Sequence, residues 1–195
     1  MTHLLPPSGR PDNIILPTDL ICMPNQQWPE TTAGDQVLKA PSGNQIILRY
    51  QENGHVTLPS NTPGKATPGT VSIYGTNESL SSDTLHGIHN VWNALGTGGD
   101  CRGRLLARQP FDDGMCYQPN TGRISQERQA LYSPDPSQGK NRWCRNKVQI
   151  PDDVMEGLYT IYWVWDWPTS SGTPGDLEGK TEIYTTCLDI EVVNP

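Results

Sequence analysis

The clearest hydrophobic pattern in the chain is the run LYTIYWVWDW at residues 158–167. Successive side chains of a β-strand point to opposite faces of the sheet. One face would carry Tyr159, Ile161, Trp163, Trp165 and Trp167, and the other face would carry Leu158, Tyr162 and Val164. Because a strand that is apolar on both faces must be covered on both sides, this pattern predicts a central strand.

Residues 180–193 predict a terminal strand, because they are rich in β-branched residues and follow a loop of glycine, proline and serine. The alternation puts Glu182, Tyr184, Leu188, Ile190 and Val192 on one face and Cys187 on the other. A carboxylate and a phenol two residues apart beside the core suggest a functional site. The alternative is a structural role, in which the Tyr184 hydroxyl caps the end of a barrel.

Several shorter elements complete the predicted fold. Strands are predicted at residues 45–50, 70–74 and 104–108, an extended segment at 84–92, and the one plausible short helix at 124–132. The 19 glycines and 18 prolines leave little room for long helices. We therefore expect one domain, residues 1–195, with an all-β, immunoglobulin- or fibronectin-like β-sandwich fold, long loops and little helix.

Composition excludes two classes of partner. A net charge of −7 without any basic run argues against nucleic-acid binding. No apolar stretch approaches the roughly 20 residues that a bilayer-spanning helix needs, so no membrane partner is expected.

The cysteines and the chain start bear on the compartment. Five cysteines without a Cys-x-x-Cys spacing suit disulfides better than zinc, and the odd number leaves one thiol unpaired. The glycosylation sequon Asn77-Glu78-Ser79 agrees weakly with secretion. Because the chain starts MTHLLPP, without the apolar region of a signal peptide, we expect its N-terminal part to be missing.

The titratable residues offer few sites of their own. His86 and His89 would point to opposite faces of an extended segment and could not share a metal. His55 lies in a glycine-containing loop, where functional residues collect, although such a histidine is more often plain surface. The pairs 112–113 and 152–153 are neighbouring aspartates in turns, whereas a glycosidase needs two carboxyls about 5–10 Å apart across a cleft. Signatures of serine hydrolases and zinc proteases are missing from the sequence.

Several segments resemble known proteins. The run EIYTTC at residues 182–187 resembles the C-terminal strand of fungal lytic polysaccharide monooxygenases, where Gln or Glu is followed by Tyr and then Cys at this spacing. The run TDLIC at 18–22 resembles the segment with the partner cysteine. More closely, LRYQENGHVTLP at 48–59 and YWVWDWP at 162–168 resemble an uncharacterised family of secreted fungal proteins. This second resemblance covers nearly all of the chain.

The resemblance implies a secreted, monomeric copper protein that cleaves a polysaccharide, such as cellulose or chitin, by oxidation. One copper ion would be held by a histidine brace, which joins an N-terminal histidine to a second histidine. His55 matches the second histidine, Tyr184 the tyrosine near the axial position, and Glu182 the group that orients the reacting oxygen. His3 is preceded by Met-Thr and does not match the N-terminal histidine, so we expect weak copper binding and little or no activity from this chain.

The resemblance also implies a disulfide between Cys22 and Cys187. Cys116 with Cys144 is the second pair that we expect, which leaves Cys101 free.

A polysaccharide-binding or cell-wall interaction module without catalytic activity is the alternative function. Trp28 and Trp143 are its candidate sugar-stacking residues, because the tryptophans at 163, 165 and 167 are expected in the core.

Overall fold

The computed structural model describes residues 2–27 and 37–193, which fold into two facing β-sheets. The strands are β1 (His3–Leu5), β2 (Leu38–Pro41), β3 (Gln45–Tyr50), β4 (Thr70–Thr76), β5 (Arg104–Pro110), β6 (Cys144–Gln149), β7 (Gly157–Asp166) and β8 (Ile183–Val193). The α-helices of the described residues are α1 (Leu85–Ile88) and α2 (Arg123–Leu131). The prediction of an all-β sandwich with little helix is confirmed.

The larger sheet has six strands in the order β1-β8-β7-β4-β5, with β2 also paired to β8. β2 runs parallel to β8, whereas the other pairs in this sheet are antiparallel. The smaller sheet consists of the antiparallel pair β3 and β6. β7 is central, because it pairs with β4 on one side and with β8 on the other.

Both faces of β7 are buried, as its sequence predicts. The layer between the two sheets contains Tyr159, Ile161, Trp163, Trp165 and Trp167. On the opposite face, Tyr162 and Val164 pack in a second apolar layer with Leu5, Ile21 and Leu85. Leu158 differs from the prediction, because it is exposed at the start of the strand.

The prediction of an extended segment at residues 84–92 is wrong, because its first part forms helix α1. The Thr84 hydroxyl oxygen accepts a hydrogen bond from the Gly87 amide at 3.2 Å and caps the helix. Leu85 and Ile88, three residues apart, are both buried by this single turn. The predicted helix at 124–132 corresponds to α2.

Two disulfides tie the loops to the sheets. Cys22 bonds to Cys187 of β8, with Cα atoms 5.5 Å apart, and Cys116 bonds to Cys144 of β6, with Cα atoms 4.6 Å apart. Cys101 is free and exposed. Both expected pairs are therefore present. Among the described residues, no helix is long and apolar enough to cross a membrane.

Candidate functional site

The loop that carries His55 is folded around the buried carboxylate of Glu52. Glu52 Oε2 accepts hydrogen bonds from the amides of Val56 and Thr57, at 2.9 and 3.1 Å. Glu52 Oε1 accepts from the Thr57 hydroxyl at 2.5 Å and from the Gln118 amide at 3.1 Å. These four hydrogen bonds to one buried side chain hold the loop against the 116–120 segment.

The His55 imidazole packs against two tryptophans of the central strand and its extension. Its ring centroid lies 4.4 Å from that of Trp167, edge-on, and 5.5 Å from that of Trp165. His55 Nδ1 is buried and has no hydrogen-bond partner among the described residues. Burial lowers the pKa of His55 below its ordinary value of 6.5. At neutral pH the ring is therefore uncharged, with a lone pair available to a metal.

Trp165 connects His55 to the last strand. Its ring stacks on Trp167 at 4.8 Å and on Tyr184 at 5.0 Å between centroids. Its Nε1 donates to the Pro68 carbonyl at 2.8 Å, which fixes the ring. Gly69 permits this approach, because a Cβ there would come within 2.5 Å of Trp165 Nε1.

Tyr184, Glu182 and Lys65 form a hydrogen-bonded chain beside these rings. The Tyr184 hydroxyl donates to Glu182 Oε1 at 2.6 Å, and Lys65 Nζ donates to Glu182 Oε2 at 2.7 Å. Burial raises the pKa of Glu182, but the bonds from Lys65 and Tyr184 outweigh burial and hold it below its ordinary value. Burial, followed by the bond to Glu182, raises the pKa of Tyr184. At neutral pH Glu182 is thus a carboxylate and Tyr184 a neutral phenol.

His55 and Tyr184 line one open cleft with a volume of about 280 Å³. Its other lining residues are Thr2, Tyr50, Gln51, Asn53, Phe111, Trp163 and Trp165. A neighbouring cavity of about 210 Å³ shares Thr2, Tyr50 and Trp163 with the cleft, so the two form a longer groove. Glu182 does not line the cleft, but its contact with the Tyr184 hydroxyl connects it to that site.

The described part of the chain brings a single imidazole to this cleft. His3 pairs with Thr185, whereas Leu4 pairs with Tyr184, so His3 lies on the opposite face of the sheet. His89 lies on the face of the sheet opposite the cleft, because its Nδ1 lies 3.1 Å from the Tyr74 hydroxyl and its Nε2 lies 2.9 Å from Asp166, which alternates with Trp165. His86 is exposed on α1. His86 lies in α1 and His89 is its C-terminal cap, so the extended geometry from which the two were predicted to point to opposite faces is wrong.

A family model described as "Domain of unknown function (DUF7492)" matches residues 1–195. The chain belongs to this family. None of the curated proteins compared with the DUF7492 chain matches it.

Solved structures of two lytic polysaccharide monooxygenases are similar to this DUF7492 chain at low identity. One is described as a cellulose-active enzyme in complex with copper, with 16% identity and a TM-score of 0.39. The other is an AA10 enzyme from Streptomyces lividans, with 15% identity and a TM-score of 0.36. The matches cover 87% and 89% of this chain but only 56% and 65% of those structures.

Other residues singled out from the sequence have structural partners. Asp112 forms an ion pair with Arg128, and Asp153 forms one with Arg104. Asp113, Cys116 and Cys144 lie close enough for a metal site, but the two cysteines are bonded to each other. These aspartates therefore stabilise turns and loops.

The two candidate stacking tryptophans gain little support. Trp143 is half-buried, and its Nε1 is buried without a partner in the described part of the chain. Trp28 lies outside the described residues.

The sequon also has a structural role. The Asn77 side-chain amide donates to the carbonyls of Met155 and Leu158, at 3.3 and 3.0 Å. A glycan on this nitrogen would replace one of its two hydrogens, so at least one of these bonds would be lost.

Lys65 and Glu52 also belong to the site, although they were not predicted from the sequence. Lys65 lies in a loop between Pro63-Gly64 and Pro68-Gly69, and its partner Glu182 is 117 residues away. Glu52 carries one usable signal, because an acidic residue directly before an Asn-Gly turn can accept bonds from the turn amides. The same signal does not distinguish a buried carboxylate from an exposed one.

Proposed function

We propose that this chain forms the sandwich of a secreted, copper-dependent protein that resembles lytic polysaccharide monooxygenases. In this proposal His55 is a copper ligand and Tyr184 lies beside the metal. Glu182 is the carboxylate that accepts a hydrogen bond from the Tyr184 hydroxyl. The substrate is a polysaccharide such as cellulose or chitin, and the protein acts as a monomer. The two disulfides agree with an oxidising compartment.

One observation carries the proposal. His55 and Tyr184 come from a loop and a strand 129 positions apart, yet both line the same cleft, with Trp165 between them. Packing of a sandwich does not by itself require a loop histidine to meet a tyrosine of the last strand. The run EIYTTC, in which the resemblance assigns a role to Tyr184, supports the same site from the sequence.

The residues fit one part of a copper site. The orphaned His55 Nδ1 and the lowered pKa of the ring suit a metal ligand, and imidazole nitrogen is a good ligand for copper. The described residues supply one such ligand, so tight binding needs further nitrogen donors. Thr2 lines the cleft. We propose that a histidine other than His3, on a segment connected to Thr2, supplies these donors.

The chain's own groups prepare this site for oxidation chemistry. When bound, copper supplies one-electron redox chemistry with oxygen, the reactant needed to attack a C–H bond of a sugar. Tyr184 remains a neutral phenol and is at most a weak ligand. Lys65 keeps Glu182 ionised, so this carboxylate can accept a proton at Oε1, where Tyr184 now donates. The longer groove beside the cleft is suited to an extended polymer.

Copper titration followed by electron paramagnetic resonance tests the proposal. We expect weak Cu(II) binding with nitrogen hyperfine coupling in this chain, and far tighter binding in a longer form that begins with a histidine. His55→Ala should remove the nitrogen coupling from this chain and weaken binding by about tenfold or more. Tyr184→Phe should change the copper affinity by less than about threefold, because a neutral phenol contributes little to binding.

His86→Ala is the matched control, because His86 is an exposed histidine that does not line the cleft. If His86→Ala and His55→Ala reduce copper binding equally, the His55 site is wrong. Polysaccharide binding that is independent of copper and of His55 would instead favour the non-catalytic module.

A further inference from the structure

The outer face of the small sheet carries a cluster of cations. In β6, every second side chain is buried in the sandwich, namely Cys144, Asn146 and Val148. The alternate side chains, Arg145 and Lys147, therefore point away from the larger sheet. In β3, Arg49 lies opposite Arg145 and Ile47 lies opposite Lys147, so these residues share the outer face. Arg49, Arg145 and Lys147 form what we call the basic patch.

The basic patch has more positive charge than its one carboxylate partner neutralises. Asp135 Oδ2 accepts a hydrogen bond from Arg49 at 2.8 Å and a longer one from Arg145 at 3.5 Å. Lys147 is exposed, and no carboxylate of the described residues pairs with it. Two cations directly opposite each other on a sheet repel, and a single shared carboxylate relieves only part of that repulsion. On a chain with a net charge of −7, this local excess favours an anionic partner.

Strand pairing, not sequence proximity, brings these cations together. Arg145 and Lys147 are separated by Asn146, and Arg49 comes from a strand almost a hundred positions earlier. The patch is accessible, since the side chains of Arg49 and Arg145 are 40% and 27% exposed. Ile47, which is 43% exposed, adds an apolar surface on the same face.

The basic patch borders the longer groove beside His55. Arg49 and Tyr50 line the smaller cavity of this groove, and Tyr50 and Gln51 line the cleft. Among the described residues that line the cleft and this cavity, none is an aspartate or a glutamate. A polymer with negative charges therefore meets no carboxylate on the groove walls, and it reaches the cations of the patch at the groove edge.

We propose that the basic patch and the adjoining groove bind an acidic polysaccharide, a chain of sugars that carry carboxylates. Arg49 and Arg145 bond one sugar carboxylate through N–H groups that Asp135 leaves free, and Lys147 attracts another. The proposal rests on the proposed function for its class of substrate, a polysaccharide, and adds the carboxylates that neutral cellulose and chitin lack. Nucleic-acid sites commonly neutralise about 6–10 phosphates, and the three cations of the patch are too few for that.

Binding of hexagalacturonate to the metal-free protein, measured by isothermal titration calorimetry, tests the proposal. The fully methyl-esterified oligomer is the neutral control, because it keeps the sugar backbone and loses the charges. We expect the acidic oligomer to bind at least about tenfold more tightly at low salt, as one charge-assisted hydrogen bond provides. Raising the ionic strength from about 0.01 M to about 0.15 M should weaken binding of the acid but not of the ester.

Lys147→Gln is the sharpest variant, because it removes an exposed cation without a carboxylate partner. It should weaken binding of the acidic oligomer about threefold, the usual effect of one exposed charge pair. Arg49→Gln should weaken it about tenfold, and Asp135 keeps Arg145 as a partner in that variant. Lys39→Gln is the matched control: it changes the net charge equally, but Lys39 lies on β2 of the larger sheet, so the affinity should not change.

Three results would overturn the proposal: no binding of the acidic oligomer, equal affinity for the acid and its ester, or equal losses in Lys147→Gln and Lys39→Gln. A single-stranded DNA hexamer that binds as tightly as hexagalacturonate would also overturn it, because the patch would then be a general anion site. The assay contains no copper. A failed copper titration therefore leaves this result intact, and a failure to bind the oligomer leaves the copper site intact.

Discussion

Lys65 joins two parts of the candidate site. Its Nζ bonds to Glu182 and to the Trp167 carbonyl, and it lies 4.1 Å from the centroid of the Trp167 ring. The lysine and the carboxylate are nearly buried, with side-chain exposures of 8% and 11%. Two buried charges that depend on each other should be sensitive to the loss of either partner.

We predict that Lys65→Met destabilises the protein by about 3–5 kcal/mol, because it leaves the buried Glu182 with only the longer, 3.9 Å ion pair to Lys180. Lys39→Met is the control, since Lys39 pairs with Glu191 at 2.8 Å but on the surface. Removing that exposed pair should cost about 0–1 kcal/mol. Urea unfolding of the three proteins at neutral pH measures both values. Equal losses would contradict the assigned role of Lys65.

The same pair should make stability depend on pH. The pKa of Glu182 is lowered in the folded state, so below its ordinary value of 4.5 the unfolded chain binds more protons than the folded one. The stabilisation is complete above about pH 4.5 and is lost as the pH falls through the lower, folded pKa. The stability difference between wild type and Lys65→Met should therefore shrink in urea titrations below about pH 4.5. A difference that stays constant with pH would contradict the ionic origin.

The strands differ in how far sequence could predict them. β7 and β8 were predictable, because ten or eleven residues of alternation distinguish a strand from other structure. β1 and β2 have three and four residues, too few for a pattern, and they form only because distant β8 offers its edge. Helix α1 was missed because burial and the Thr84 cap outweigh the low helix propensity of Gly87.

The disulfides constrain these elements to different extents. The Cys22–Cys187 bond closes a separation of 165 residues and the Cys116–Cys144 bond one of 28. From loop entropy we predict that replacing both cysteines by alanine costs about 5 kcal/mol for the first pair and about 3.5 kcal/mol for the second. Guanidinium unfolding of the wild type and the two double variants, without reductant, measures both losses of stability. A larger loss from the second pair would mean that core packing, not loop entropy, dominates.

The molecule as a whole assembles its candidate site from segments that sequence proximity does not connect. The resemblance pointed to His55, Tyr184 and Glu182, and the fold brings the first two to one cleft. Lys65 and Trp165 could not be assigned in advance, because their parts depend on which face of the sandwich each loop covers.

The hydrogen bonds to Glu52 should slow amide exchange in the His55 loop. Its single carboxylate accepts the amides of Val56, Thr57 and Gln118, so these hydrogens can exchange with solvent only when the whole assembly opens. We predict that in deuterium oxide these three amides exchange as slowly as those of β7. The amide of the exposed Leu177 should exchange within the dead time. In Glu52→Ala the exchange rates of the three amides should increase by the same factor. Different increases would mean that parts of the loop open independently. The His55 loop would then unfold only together with the core strands. The imidazole of His55 would be held in place without any metal.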